Sequence, residues 1–267
     1  MRIYGGVLMN LIYKYPGKEY SINRILEFQG DEQSDFWSEP LFHFFPDIDR
    51  DLFKSFNYSQ RMSYLNDFFD KFLMENESLI HEKVIKYNER WELYKPQIVA
   101  ALEEAFEINL DNIFNNMVAN ISFNPISPRY LDNNSFDIFY LNSEKGALGI
   151  SLHEIIHFVW FYVWNNHFND NYEEYETPNL KWILSEMVVE AIMSDDRLKS
   201  INPYFDGGGC VYPYFYTLKI DDKPILDILY DMYKRMSITD FMEKSYDLCL
   251  IHEGEIRKHI DESEKKY

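Results

Sequence analysis

Apolar residues in this chain gather into two unbroken runs and several periodic ones. Gly149 to Trp164 is apolar, with no proline and no glycine after its first residue, and it predicts a helix buried in a core. A second run follows Pro178-Asn179, a helix-start signal, and extends to Met193 before Ser194-Asp195-Asp196. From Glu77 to Phe106 the stripe Ile80, Val84, Tyr87, Trp91, Ile98 and Leu102 predicts one long helix, broken or kinked at Pro96. Further helices are expected over Ser59–Leu73, 223–236 and 238–260, with a frayed charged tail from Asp261. Strands are expected at 7–14, ahead of the Pro16-Gly17 turn, at Val118–Phe123 and at Phe136–Leu141. The segment 20–58 is mixed and aromatic-rich. This order predicts an α+β chain, mostly α, with a small mixed sheet. A mainly helical region over 1–110 would precede a second region over 111–267, or the two would form one continuous domain.

The polar residues inside the first run carry the chemistry. His153-Glu154-Ile155-Ile156-His157 spells HExxH. Residues four apart on a helix share a face, so both imidazoles can ligate one Zn2+. Glu154 is not a ligand in that arrangement. It lies beside the open coordination position, where it can take a proton from metal-bound water. The other reading is a core helix with two internally hydrogen-bonded histidines, which would need several partners to be buried.

Two histidines leave a zinc site one protein ligand short. The extended form HExxHxxGxxH is excluded by Trp160 and Val163. His167 reads as a loop residue and His81 as a surface one. His81-Glu82 and His252-Glu253 open similarly but meet Ile85 and Ile256 at the fifth position, and the His252/His259 pair has a weak claim. The second apolar run offers more. Glu186 and Glu190 are four apart among Leu184, Met187, Val188, Val189, Ala191 and Ile192. Carboxylates in such company are rarely buried without a partner. Either one or both face solvent, or Glu186 ligates zinc while Glu190 orients a ligand histidine.

HExxH followed on the next helix by Trp182-Ile183-Leu184-Ser185-Glu186 resembles the gluzincins, the thermolysin- and aminopeptidase-like zinc metallopeptidases. The resemblance covers roughly residues 118–195, with 28 residues between His157 and Glu186. It implies a zincin-like core, in which the small mixed sheet lies beside the HExxH helix, and a helical C-terminal part. It makes Glu186 the ligand and matches Glu190 to the later acid of that group. The aminopeptidase motif Gly-x-Met-Glu-Asn is absent. In this group the last strand before the helix is a sheet edge that pairs with extended substrate. Phe136, Ile138, Phe139 and Tyr140 are then the substrate-binding candidates, an ordinary internal strand being the alternative. The resemblance implies one zinc per chain, a peptide or protein substrate, and a later Tyr or His that stabilises the oxyanion. Tyr212 and Tyr214, after Gly207-Gly208-Gly209, are the candidates. A catalytically inactive metal- or peptide-binding regulator of the same fold, or hydrolysis of a non-peptide amide, would also use these residues.

Composition narrows the partners. The net charge is −19 and the pI about 4.7, which argues against nucleic acid and against anionic membrane surfaces. Met1–Asn10 has no apolar signal-peptide core, and the run at 147–164 is interrupted by His, Glu and His. Two cysteines are too few for a disulfide framework, so free thiols and a cytoplasmic location are expected.

Overall fold

The computed structural model describes residues 9–170, 172–202 and 209–266. The chain is mostly helical with a small mixed sheet. Its elements fall into two units that interleave along the sequence. One contains Asn10–Leu93 and Phe114–Leu148, the other Tyr94–Ile113 and Gly149–Ser263. A single cut near residue 110 is not what the structure shows. The reason is strand pairing: β1 (Leu11–Lys14) lies parallel to β2 (Met117–Ser122), in register Leu11 to Met117, which ties together residues on both sides of 110.

The first unit holds β1, β2, β3 (Arg129–Tyr130) and β4 (Ser135–Phe139), ordered β1-β2-β4-β3. β2 and β4 run parallel, and β3 pairs antiparallel with β4. Around the sheet come α1 (Lys18–Glu27), α2 (Asp35–Phe44), α3 (Arg50–Ser55) and the first part of α4 (Tyr58–Ala105). β1 alternates buried and exposed residues, as an edge strand does, whereas all five residues of β4 are buried. The edge at β1 is occupied by α4. Asn88 accepts from the Tyr13 amide at 3.0 Å and donates to the Tyr13 carbonyl at 2.8 Å, filling groups that an added strand would use.

The expected substrate edge is therefore corrected. β4 is an internal strand, flanked by β2 over its whole length and by β3 at Ser135 and Phe136. The Asp137 amide donates to Pro128 O at 3.0 Å on the β3 side. Phe136, Ile138, Phe139 and Tyr140 are buried. Tyr140 stacks on Phe45 and meets Phe72 and Phe123 edge-on, while Phe139 packs on Phe44. These aromatic rings build core rather than a binding surface.

Helix α4 also differs from expectation. It runs unbroken for 48 residues, across Met74-Glu75-Asn76 and through Pro96. The Asn76 side-chain Nδ2 donates back to the Phe72 carbonyl at 2.9 Å, which is compatible with an uninterrupted helix. Proline forfeits one backbone bond, but buried Trp91, Ile98, Val99 and Leu102 anchor the helix on either side of it. At the C-terminus the expected single helix is two, α9 (Ile238–Ile251) and α10 (Glu253–Glu264). The backbone leaves helical geometry at His252, two residues before Gly254.

Asp137 is the unexpected residue of the sheet. Strand alternation puts it on one face with Phe139, yet both faces of β4 are covered and it is 0% exposed. Its Oδ1 accepts from the Tyr20 hydroxyl at 2.7 Å and from Asn120 at 3.4 Å. Its Oδ2 has no hydrogen-bond partner among the described residues. Burial pushes its carboxyl up to about 7. The hydrogen bonds from Tyr20 and Asn120 and the charge of Arg24 oppose the shift, and Glu27 adds to it. The unfolded value is about 3.9, so between the two the folded state holds a proton that the unfolded state lacks. This group's contribution to stability is full below pH ~4 and is lost as pH rises through about 7. We expect the melting temperature of metal-free protein to fall between pH 5.5 and 8.5 more steeply in wild type than in Asp137→Asn. Parallel pH curves for the two proteins would contradict this assignment.

Candidate metal centre

The second unit is built on two helices that are apolar nearly all round, the pattern of helices enclosed by other elements. These are α5 (Glu144–Phe168), which belongs to this unit from Gly149 onward, and α6 (Leu180–Met193). By length and composition α5 could cross a membrane, but 83% of its apolar window is buried inside the protein, as in a core helix. Trp160 of α5 packs edge-on against Phe241 of α9, and Phe161 stacks on Tyr175. In α6 every residue except Trp182 and Glu190 is buried. It packs against α8 (Ile225–Tyr233) and α9. Between α6 and α8 the chain forms the short α7 (Asp196–Ile201) and the β5–β6 hairpin (Lys219–Ile220 and Lys223–Pro224).

Within this packing the structure brings His153, His157 and Glu186 together. One potential ligand atom from each lies within 4.8 Å of the others. The two imidazoles, one helical turn apart on α5, face each other Nε2 to Nε2 at 3.0 Å with rings inclined at 68°. The Glu186 carboxylate reaches from α6, with Oε2 3.7 Å from His153 Nε2 and Oε1 3.5 Å from His157 Nε2. The His157 side chain is 0% exposed, that of Glu186 3% and that of His153 14%. The cluster is thus sealed on the His157 side and open at His153.

Elementary chemistry limits what such a cluster can be. Two Nε2 lone pairs pointed at each other across 3.0 Å repel unless a proton or a cation lies between them. A carboxylate taken out of water needs compensating positive charge. A neutral Nε2–H tautomer of one ring can donate to the other, which settles the two nitrogens but brings no positive charge to the carboxylate. A divalent cation would satisfy both imidazoles and the carboxylate at once. Glu154, next to His153 on α5, is 5% exposed and so also buried.

The remaining candidates fall in different places. Glu190 is engaged elsewhere: its Oε2 accepts from Cys210 Sγ at 2.7 Å and from the Tyr216 hydroxyl at 2.7 Å. None of its described hydrogen bonds reaches His153 or His157, which corrects the expectation that it orients a ligand histidine. Cys210 and Tyr216 are residues that sequence reasoning passed over. They lie 20 and 26 positions from Glu190, and no local pattern announces a pairing at that range. Burial and the neighbouring carboxylate push both the thiol and the phenol well above their ordinary ranges. Tyr214 is 4% exposed and stacked under half-buried Tyr212, whose ring lies 6.2 Å from that of Trp182. Of the two tyrosines, Tyr212 is the more accessible. Gly207 and Gly208 lie outside the described residues. His81 is largely exposed, and His259 is engaged by Thr217 and the Tyr214 carbonyl. Comparison of the chain with protein-family models, with curated proteins and with solved structures finds no match in any of the three.

Proposed function

We propose that this protein is a zinc-dependent peptide hydrolase of gluzincin type, with zinc held by His153, His157 and Glu186 in a zincin-like core. The observation that carries the reading is the spacing of the three donor atoms. Zinc bonds of about 2.0–2.1 Å in a tetrahedron separate neighbouring ligand atoms by about 3.3–3.4 Å. The separations here are 3.0, 3.5 and 3.7 Å. The donor set, two imidazole nitrogens and one carboxylate oxygen, is that of a catalytic zinc with a position left for water. Exposure at His153 supplies the opening.

A zinc ion bound there would lower the pKa of a bound water toward neutrality and polarise a scissile carbonyl. Glu154 would receive a proton on its carboxylate and hand it to the leaving amine. Tyr212 is the residue we assign to donate toward the developing oxyanion. Free, buried Cys210 and Cys249 suit a reducing compartment, in keeping with a cytoplasmic location.

The test is zinc-loaded protein incubated with a mixed peptide library, with products read by mass spectrometry. Metal-dependent cleavage that EDTA stops and zinc restores is expected. A protein that binds zinc and cleaves nothing would leave a binding role in place of hydrolysis. The two carboxylates of α6 should separate cleanly. Glu186→Ala should lose zinc at stoichiometric metal. Glu190→Ala should hold it within about threefold, well short of the 10–100-fold typical when a partner of a ligand is removed. Equal losses in the two variants would put Glu190 back beside the histidines.

A further inference from the structure

Trp182, Glu186 and Glu190 are spaced at i, i+4 and i+8, so they share one face of α6. Each meets something different on that face. Trp182 lies by the Tyr212 ring, Glu186 faces the two imidazoles, and Glu190 is held by Cys210 and Tyr216. The segment 209–216 therefore contacts this face on both sides of Glu186. Its own geometry is tied to the same point, because the Gly209 amide donates to the Tyr216 hydroxyl at 2.5 Å while that hydroxyl donates to Glu190. Gly209 has φ +93°, a conformation that residues with a Cβ rarely adopt. Tyr212 in turn stacks on Tyr214 at 5.4 Å between centroids.

We infer that Glu190 is a positioning residue: through Cys210 and Tyr216 it clamps the 209–216 segment along the Glu186 face of α6 and so sets where Tyr212 stands beside the proposed zinc site. This rests on the peptidase reading for the identity of what Tyr212 meets, but not for the clamp itself. Two donors converge on one carboxylate oxygen, so losing either loosens the attachment while leaving the ligand carboxylate one turn away untouched. The clamp predicts separable effects on the segment, on ligand binding and on metal.

The experiment compares wild type with Tyr216→Phe, Cys210→Ala and Cys210→Ser, the last keeping a hydroxyl donor. Amide hydrogen exchange across 209–217 is measured on each protein. Zinc affinity is measured by chelator competition, and binding of a peptide hydroxamate, which chelates zinc, by calorimetry. Exchange should be faster by about tenfold or more in Tyr216→Phe and Cys210→Ala and near wild type in Cys210→Ser. Zinc affinity should stay within about threefold in all four proteins, and hydroxamate affinity should fall about fivefold or more in the first two variants only. Unchanged exchange in both of those variants would overturn the clamp. Faster exchange with unchanged hydroxamate affinity would reduce it to a structural contact and overturn the positioning role. Failure of the zinc-loaded wild type to bind hydroxamate would tell against the peptidase reading, and the exchange comparison would still decide the clamp.

Discussion

Glu154→Gln is expected to lower peptide hydrolysis by about 10²–10⁴-fold while leaving zinc content and folding intact. The side chain is buried and adjoins His153 on α5. Glutamine matches its size and keeps a carbonyl acceptor but cannot take up and return a proton at neutral pH. The effect should therefore appear in kcat rather than in KM, because the group is needed in the transition state and not for holding the ground state. Turnover by the variant at the wild-type rate would reject the mechanism. A protein that uses the same metal only for binding would show no activity to lose, and its partner affinity would be unmoved by this substitution.

His153→Ala and His157→Ala are each expected to abolish stoichiometric zinc binding, and with it the stabilisation that zinc confers. At free zinc about 1,000-fold above Kd, a ligand that binds only the folded state adds about 4 kcal/mol. In a chain of this size that corresponds to a rise in Tm on the order of 10 °C. The measurement is Tm with and without zinc in wild type and in each variant. Wild type should show the rise and the variants none. His157→Ala should also lower the metal-free Tm more than His153→Ala, because the His157 side chain is wholly enclosed and its removal leaves a cavity, whereas His153 is 14% exposed. A zinc-dependent rise of the same size in the double variant would show that the metal sits elsewhere.

Some of this arrangement is legible in the chain itself, because it depends on local spacing. HExxH places its histidines on one helical face wherever a helix forms, and the apolar run around it calls for that helix. Pro178 and Asn179 mark the start of α6, and Asn179 is its N-cap residue. A carboxylate within so apolar a helix needs a partner, and the structure brings Glu186 to the imidazoles. Glu190 was open to the same argument and proved different. Four residues is slightly more than one turn, and its position at the rim of α6 puts it within reach of Cys210 and Tyr216 instead. That outcome depends on where a segment some twenty residues later folds back, which spacing does not encode. The strand before the HExxH helix was misjudged for a related reason. It reads as a sheet edge, but β2 on one side and the short β3 on the other make it an internal strand, and residues on both its faces, Asp137 included, are buried. The interleaving of the two units was invisible because it comes from β1 reaching across about a hundred residues to pair with β2.

If His153, His157 and Glu186 hold one zinc ion, X-ray absorption at the zinc K-edge on wild-type protein, after dialysis to remove loosely held metal, should show it. About one zinc per chain is expected in a four-coordinate environment, with two imidazole nitrogens near 2.0–2.1 Å and oxygen ligands completing the shell. Protein that retains no zinc, or zinc whose nearest shell contains no imidazole, would contradict that assignment.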